Sequence, residues 1–229
     1  VLEKGPHGRD KICGDGLTPR AVAALDELGI SLDGAHHIDG LRMIAGKQMR
    51  ELPWGSPGNR FPSHGAVGPR RKLDAALIDA AAAAGADVRF ETEGEIVADD
   101  SGRVTGVRTP HGRITAALVV AATGAPGAVA RALGADRDPN EPFGLAIRAY
   151  VESPRHLDRH IEACLTVKDA QGTWVPGYGW MFPCGDGTVN IGVGALSTMQ
   201  GFKSLNLNTL LESYRSIVRD SWGIGPNLD

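Results

Sequence analysis

Cysteine is scarce in this chain: three residues in 229, Cys13, Cys164 and Cys184, scattered and odd in number. They imply no disulfide framework, and a reducing cytoplasm is the expected setting. Long apolar runs are missing as well. No window approaches the roughly 20 apolar residues of a membrane-spanning helix, and Ala80–Ala84 is too short and too weakly hydrophobic. Positive charge is not in excess: 24 basic residues against 27 acidic give a net charge of −3, which argues against a nucleic-acid binder. No basic segment followed by an apolar one opens the chain, so no signal peptide is expected. His156 and His160 stand four apart but in polar, loop-like sequence, and His36-His37 has no partner at ligand spacing. No metal site is expected. A Gly-x-Ser-x-Gly nucleophile elbow is also absent.

What is present is an ordinary globular composition, 42% hydrophobic and 22% charged, long enough for one large domain or two interlocked ones. Val1-Leu2-Glu3-Lys4 reads as the last residues of a strand, followed by a glycine-rich loop to Gly16. Thr18 as N-cap, Pro19 at the first helical position and Gly29 at the end delimit a helix, with Val22, Leu25 and Leu28 as its buried stripe. Two short strands are expected in 37–50 around Ala45-Gly46, a Gly/Pro/Ser-rich loop in 54–69, a helix from Arg70 to Ala84 and a strand at Asp87–Glu91. A small meander follows to Arg113. Leu118–Ala122 is all apolar and reads as a strand covered on both faces, after which Pro126 opens a short helix. From Gly144 the texture changes to alternating strands, Leu145–Val151 and Glu162–Lys168, and a closing helix at Asn206–Asp220 presents Leu210, Leu211, Tyr214, Ile217 and Val218. The sum is an α/β nucleotide-type half joined to a sheet-rich half, with a boundary near 138–142. The N-terminal strand remnant and the tail beyond Trp222 make the chain read as an internal piece of a longer protein.

The densest pattern lies in residues 177–194. Tyr178, Trp180 and Phe182 alternate, so on a strand their rings share one face. Gly185-Asp186-Gly187 reads as a hairpin turn. Val189, Ile191 and Val193 then alternate with Asn190, Gly192 and Gly194, leaving one face nearly free of side chains, where a flat ligand could approach the backbone. The plain alternative is a core hairpin. At the other end, Glu3 ends a strand before a loop, as does the acid that accepts ribose hydroxyls in doubly wound dinucleotide domains.

Cys13-Gly14-Asp15-Gly16, Arg70-Arg71-Lys72-Leu73-Asp74, residues 119–127 and the hairpin resemble, in the right order over nearly the whole chain, the geranylgeranyl reductase family of flavin-dependent reductases, on the para-hydroxybenzoate hydroxylase fold. The likeness is greatest to the bacterial branch that reduces menaquinones. It implies an α/β fold: a partial FAD-binding doubly wound domain over 1–140, with 36–68 contributing to the substrate side, and an incomplete substrate-binding sheet and helix over 141–229. It implies FAD as cofactor, contacted by Glu3 at the adenosine ribose, by Arg70 at the pyrophosphate or ribityl region, and by Arg9, Asp15, Gly16, Thr123 and Gly124. Cys13 would face flavin and substrate as the catalytic candidate. Tyr178, Trp180 and Phe182 would line the path of a prenyl chain, with Gly192 and Gly194 leaving it space.

Implied partners are a prenyl quinone or other isoprenoid lipid, an electron donor that the residues do not identify, and peripheral membrane contact at the inner face. Two departures stand out. Ala122-Thr123-Gly124 replaces the family's usual Asp-Gly after the apolar strand, and the two phosphate-binding elements would fall before Val1 and after Asp229. A piece lacking both is expected to bind FAD poorly and to be inactive alone. Two other readings remain: a flavin monooxygenase of the same fold, or a non-catalytic truncated remnant.

Overall fold

The computed structural model describes residues 1–55, 60–124, 127–135, 138 and 140–225. In chain order the elements are β1 (Gly16–Leu17), α1 (Pro19–Glu27), β2 (His36–Ile38), β3 (Gly40–Ala45), β4 (Gln48–Pro53), β5 (Gly65–Val67), α2 (Arg70–Ala83), β6 (Glu95–Ala98), β7 (Val104–Thr109), β8 (Gly112–Thr115), α3 (Ala128–Ala132), β9 (Gly144–Glu152), β10 (His160–Cys164), β11 (Gly177–Pro183), β12 (Thr188–Leu196) and α4 (Leu207–Trp222). They fall in two compact units, Val1–Arg9 with Ile78–Glu141 and Asp10–Leu77 with Pro142–Asp229.

In the first unit, Leu2 pairs with Arg89 in a parallel bridge. Arg89 N donates to Val1 O and Glu3 N to Arg89 O, both at 3.0 Å. The expected strand at 87–91 is thus reduced to one bridge. The meander is present as the antiparallel sheet β6-β7-β8. Leu118–Ala122 departs from expectation. It forms no strand, and Leu118 and Val120 are 80% and 78% exposed. Among the described residues no strand pairs with this run, so neither its backbone nor its apolar faces find a partner. The helix start at Pro126 lies outside the described residues.

The second unit is built on a six-stranded sheet of order β4-β3-β10-β11-β12-β9. All its pairings are antiparallel except that of β10 with β3. Alternation divides the hairpin β11–β12 as its sequence demands. Met181, Val189, Ile191 and Val193 face α4, whose Leu210, Leu211, Tyr214, Val218 and Trp222 complete one buried core. Asn206 caps α4 by accepting from the Asn208 and Thr209 amides. Ile217 is half exposed rather than buried, because it falls outside the apolar stripe that Tyr214 and Val218 define. The expected strand at 162–168 is shorter and shifted, ending at Cys164.

The opposite face of the sheet carries the three rings. There Ile38 and Val67, from the small sheet β1-β5-β2, pack with Cys184, Phe182 and Tyr150. Helix α1 follows β1 and starts on the Thr18 cap, which accepts from Ala21 N at 3.4 Å. Leu28 is exposed, since it is already the C-cap and the chain turns at Gly29 with φ +67°.

A charged cluster is enclosed at the β3–β10 junction. Arg42 bonds Asp158 at 2.8 Å and Glu51 at 2.8 Å, Arg155 also bonds Asp158, and Trp222 Nε1 donates to buried Glu162 at 3.0 Å. Burial alone would raise the Asp158 carboxyl, but hydrogen bonds from Arg42, Arg155 and the His160 amide outweigh it and hold its pKa at about 2. A depressed carboxyl contributes stability that is complete above its ordinary value and lost as pH falls through the folded value. Asp158→Asn should therefore lower stability at neutral pH and flatten the further loss between roughly pH 4 and pH 2, as read by urea unfolding along that range. Packing gives a second test. A Cβ at Gly179 would lie 2.4 Å from the Tyr214 ring, whereas one at Gly144 meets nothing closer than 3.6 Å. Gly179→Ala should cost about 1–3 kcal/mol, and Gly144→Ala within about 0.5 kcal/mol, measured as shifts in denaturant midpoint.

Candidate functional site

The loop from Asp10 to Gly16 lies on the ring-bearing face of the sheet, and a buried carboxylate fixes it there. Asp15 has φ +65° and is 2% exposed. Asp tolerates the left-handed region because its short polar side chain bonds locally. Its Oδ2 accepts from Tyr150 OH at 2.5 Å and Asn190 Nδ2 at 2.8 Å, and its Oδ1 from the Arg70 amide at 3.3 Å. Asn190 Nδ2 also donates to Cys13 O at 2.8 Å, and its Oδ1 accepts from Trp180 Nε1 at 2.9 Å. The Asp15 amide donates to Cys13 Sγ at 3.4 Å. Four elements, the loop, α2, β9 and β12, thus converge on one acid.

The aromatic row is real. Tyr178 to Trp180 is 5.9 Å and Trp180 to Phe182 6.3 Å between ring centroids. The three rings do different things, however. Phe182 lies under the loop, so close that a Cβ at Gly14 or Gly16 would come within 2.9 Å of it. Trp180 is 6% exposed, and its indole lies on Gly192, where a Cβ would fall 2.0 Å from the ring. The space expected at Gly192 is therefore filled by Trp180 itself: the missing side chain accommodates a protein ring. At Gly194 a Cβ would lie 3.4 Å from the Ala146 methyl and 3.3 Å from the Leu145 carbonyl oxygen. Tyr178, 48% exposed, is the open end of the row.

Around the loop the charges are paired. Arg70, at the start of α2, forks onto Asp74 at 2.7 and 2.9 Å, and Lys11 reaches the same carboxylate at 2.7 Å. The Asp74 hydrogen bonds, with a smaller contribution from the Cys13 thiol, hold the Arg70 guanidinium well above its usual range. Burial opposes ionisation of Asp74, yet Arg70 and Lys11 bring it below the ordinary carboxylate value. Arg148, on β9 opposite Gly192, bonds Asp10 at 2.5 Å and Lys11 O at 2.9 Å and lies 4.4 Å over the Tyr150 ring. Burial first, and the Asp15 carboxylate second, push the Tyr150 phenol well up, so it stays a donor at neutral pH. Burial likewise raises Cys184 to about 11.

The structure brings together Cys13, Asp15, Gly16, Arg70, Tyr178, Trp180, Phe182, Gly192 and Gly194 in the second unit. The Asp15 carboxylate is turned inward and taken up by protein donors. Glu3 and Arg9 are together in the first unit, with Glu3 Oε1 accepting from Gly5 N at 2.8 Å and Arg9 Nε at 3.1 Å. Thr123 and Gly124 lie in exposed, irregular chain of that unit. Sequence reasoning passed over Asn190, Tyr150 and Arg148. Tyr150 and Arg148 occupy alternate positions of a strand whose polar side reads as solvent-facing; Asn190, an amide inside Val-Asn-Ile-Gly-Val, was the available signal. Among the described residues no group of His, Cys, Asp and Glu could hold a metal ion.

Residues 13–203 match the family described as FAD dependent oxidoreductase, and the chain belongs to that family. It is 40% identical over 228 residues to menaquinone reductase of Mycolicibacterium smegmatis, covering 98% of this chain and 55% of that protein. It is 28% identical over 207 residues to digeranylgeranylglycerophospholipid reductase of Thermoplasma acidophilum, covering 85% and 50%. The structure superposes with a TM-score of 0.74 and 25% identity on the crystal structure of a geranylgeranyl bacteriochlorophyll reductase-like protein from Thermoplasma acidophilum, covering 94% of this chain and 54% of that one. The chain spans about half the length of the curated relatives it matches. The fold is the mixed α/β fold of FAD-dependent oxidoreductases.

The Asp15 cluster yields a direct test. Tyr150→Phe removes one donor from a buried carboxylate and should lower stability by about 1.5–3 kcal/mol. Tyr178→Phe, at an exposed ring, should stay within about 0.5 kcal/mol. Urea denaturation of the two variants side by side decides it, and equal effects would count against Asp15 as the anchor.

Proposed function

We propose that this chain serves a FAD-dependent reductase that saturates an isoprenoid double bond of a prenyl lipid, the menaquinone side chain foremost. The observation that carries the reading is the aromatic row, which runs from exposed Tyr178 to the loop bearing Cys13. The polar atoms of its buried stretch are satisfied internally, Trp180 by Asn190 and Asn190 by Asp15 and Cys13 O. Such a floor suits an apolar chain, which gains roughly 25 cal/mol for each Å² of surface buried. A polar aromatic substrate of a monooxygenase would call for free hydrogen-bonding groups instead. The names of the relatives support the same choice, since both Thermoplasma proteins carry the geranylgeranyl group in theirs.

The residues present fit FAD at its adenosine end. Glu3 ends a parallel pairing, and its carboxylate is held over the tight turn at Gly5, where a Cβ would lie 2.4 Å from Arg9. Glu3 would accept the ribose hydroxyls, with Arg9 orienting its carboxylate, and Thr123 and Gly124 would contribute backbone and hydroxyl contacts. Arg70 would add positive charge near the pyrophosphate while remaining forked on Asp74. FAD, when bound and reduced, would supply the hydride for one carbon of the double bond, with the proton for the other carbon coming from a nearby group or water. Cys13, fixed in its loop, would face the reacting atoms, Tyr178 and Phe182 would border the lipid chain, and Trp180 would support both. The proposed location is the cytoplasm, with peripheral contact at the inner face of the membrane. Among the described residues no helix is long and apolar enough to cross one.

The decisive measurement is anaerobic turnover of a prenyl quinone by the flavin-loaded, reduced reductase that this chain serves. Loss of the double bond supports the reading, and substrate-linked oxygen uptake in its place overturns it. Within that assay Cys13→Ser should cut turnover by on the order of tenfold or more at unchanged unfolding midpoint, whereas Cys164→Ser, in the core behind the sheet, should not. Equal effects at both positions would remove Cys13 from the site.

A further inference from the structure

One end of the six-stranded sheet gathers exposed apolar side chains next to the open end of the aromatic row. Register places there the starts of β4, β9 and β11 and the ends of β3, β10 and β12. Leu145, Leu165, Trp174, Leu196 and Met49 are each between 44% and 57% exposed, as is Tyr178. Trp174 stands on a short hairpin closed by its bridge to Lys168, whose Nζ lies 4.4 Å over the indole. The β3–β4 turn is tied to the same end, with Gly46 N donating to Thr166 Oγ1 at 3.2 Å.

Basic side chains outnumber acids at this end. Segments 45–50, 143–146, 165–178 and 195–199 contain Lys47, Arg50 and Lys168 but a single acid, Asp169. That carboxylate accepts from the Gln171 and Thr173 amides of its own turn. A tryptophan with a lysine over its face, flanked by aliphatic side chains and with three basic residues to one acid, is the composition of a surface that lies in the headgroup region of an anionic bilayer.

We infer that this sheet end is the membrane-docking surface of the protein, its occupant the surface of a bilayer containing anionic phospholipid. Its purpose rests on the proposed lipid-reductase reading: docking presents Tyr178 to the bilayer, and a prenyl chain enters along the row without crossing water. Leu157 serves as the control. It is 61% exposed but lies between β9 and β10 at the opposite end of the sheet.

The test is co-sedimentation of the flavin-loaded reductase that this chain serves with vesicles of phosphatidylglycerol and phosphatidylcholine. The parent should bind, and binding should fall as salt is raised. Trp174→Ser with Leu165→Ser should lower the partition coefficient by on the order of tenfold, Lys47→Glu with Lys168→Glu should abolish the preference for anionic over pure phosphatidylcholine vesicles, and Leu157→Ser should change neither. A parent that stays in the supernatant overturns the proposal, as does a Leu157→Ser loss equal to that of the double apolar variant. Reduction of a detergent-dispersed prenyl quinone is followed in parallel and should be unchanged in every variant. Vesicle binding lost as expected, in a parent that reduces no prenyl quinone, would sink the functional reading and leave the docking surface standing.

Discussion

A single buried carboxylate carries much of the second unit. Asp15 sits in the left-handed region at the tip of a glycine-rich loop, and its two oxygens accept from β9, β12 and the first amide of α2. A buried anion is costly unless hydrogen bonds surround it, so the three donors are required by the acid as much as the acid by them. Once that knot is tied, the position of Cys13 follows, two residues away with its carbonyl bound by Asn190 and its sulfur by the Asp15 amide. The glycines on either side of Asp15 then have to be glycines, since Phe182 occupies the volume of a side chain at each.

The sheet divides its labour by face. Behind it, Met181, Val189, Ile191 and Val193 form a dry core with α4, and this face sets the rigidity of β11 and β12. In front, the same strands offer rings and an amide to the loop. Strand alternation makes the two roles independent: α4 can stabilise the platform from behind while the rings and Asn190 face the loop. The edges of the platform differ too, with charge enclosed at the Arg42–Asp158 end and apolar surface exposed at the Trp174 end.

Where local rules decide, the sequence was readable. Thr18, Pro19 and Gly29 delimit α1, Asn206 opens α4, and the Tyr-x-Trp-x-Phe hairpin folds with its expected facing. Where a distant partner decides, it was not. Leu118–Ala122 has the composition of a buried strand but no strand to pair with among the described residues. Ile217 and Leu28 are apolar by type and exposed by geometry. Trp180 and Gly192 were each read correctly as to face, yet their cross-strand pairing turned an apparent vacancy into a filled contact. Asp15 belongs to a Cys-Gly-Asp-Gly string that the chain displays openly, but its inward orientation depends on Tyr150 and Asn190, 135 and 175 residues away.

The contact between Trp180 and Gly192 binds two positions into one unit of inheritance. Volume lost at one strand is taken up at the other, so neither residue can drift alone: an alanine at 192 requires a smaller ring at 180, and a smaller ring releases the bond to Asn190 and, through it, the loop. Related chains that change one of the pair should change the other, and the front of the sheet should vary between lineages in such coupled steps, not one residue at a time.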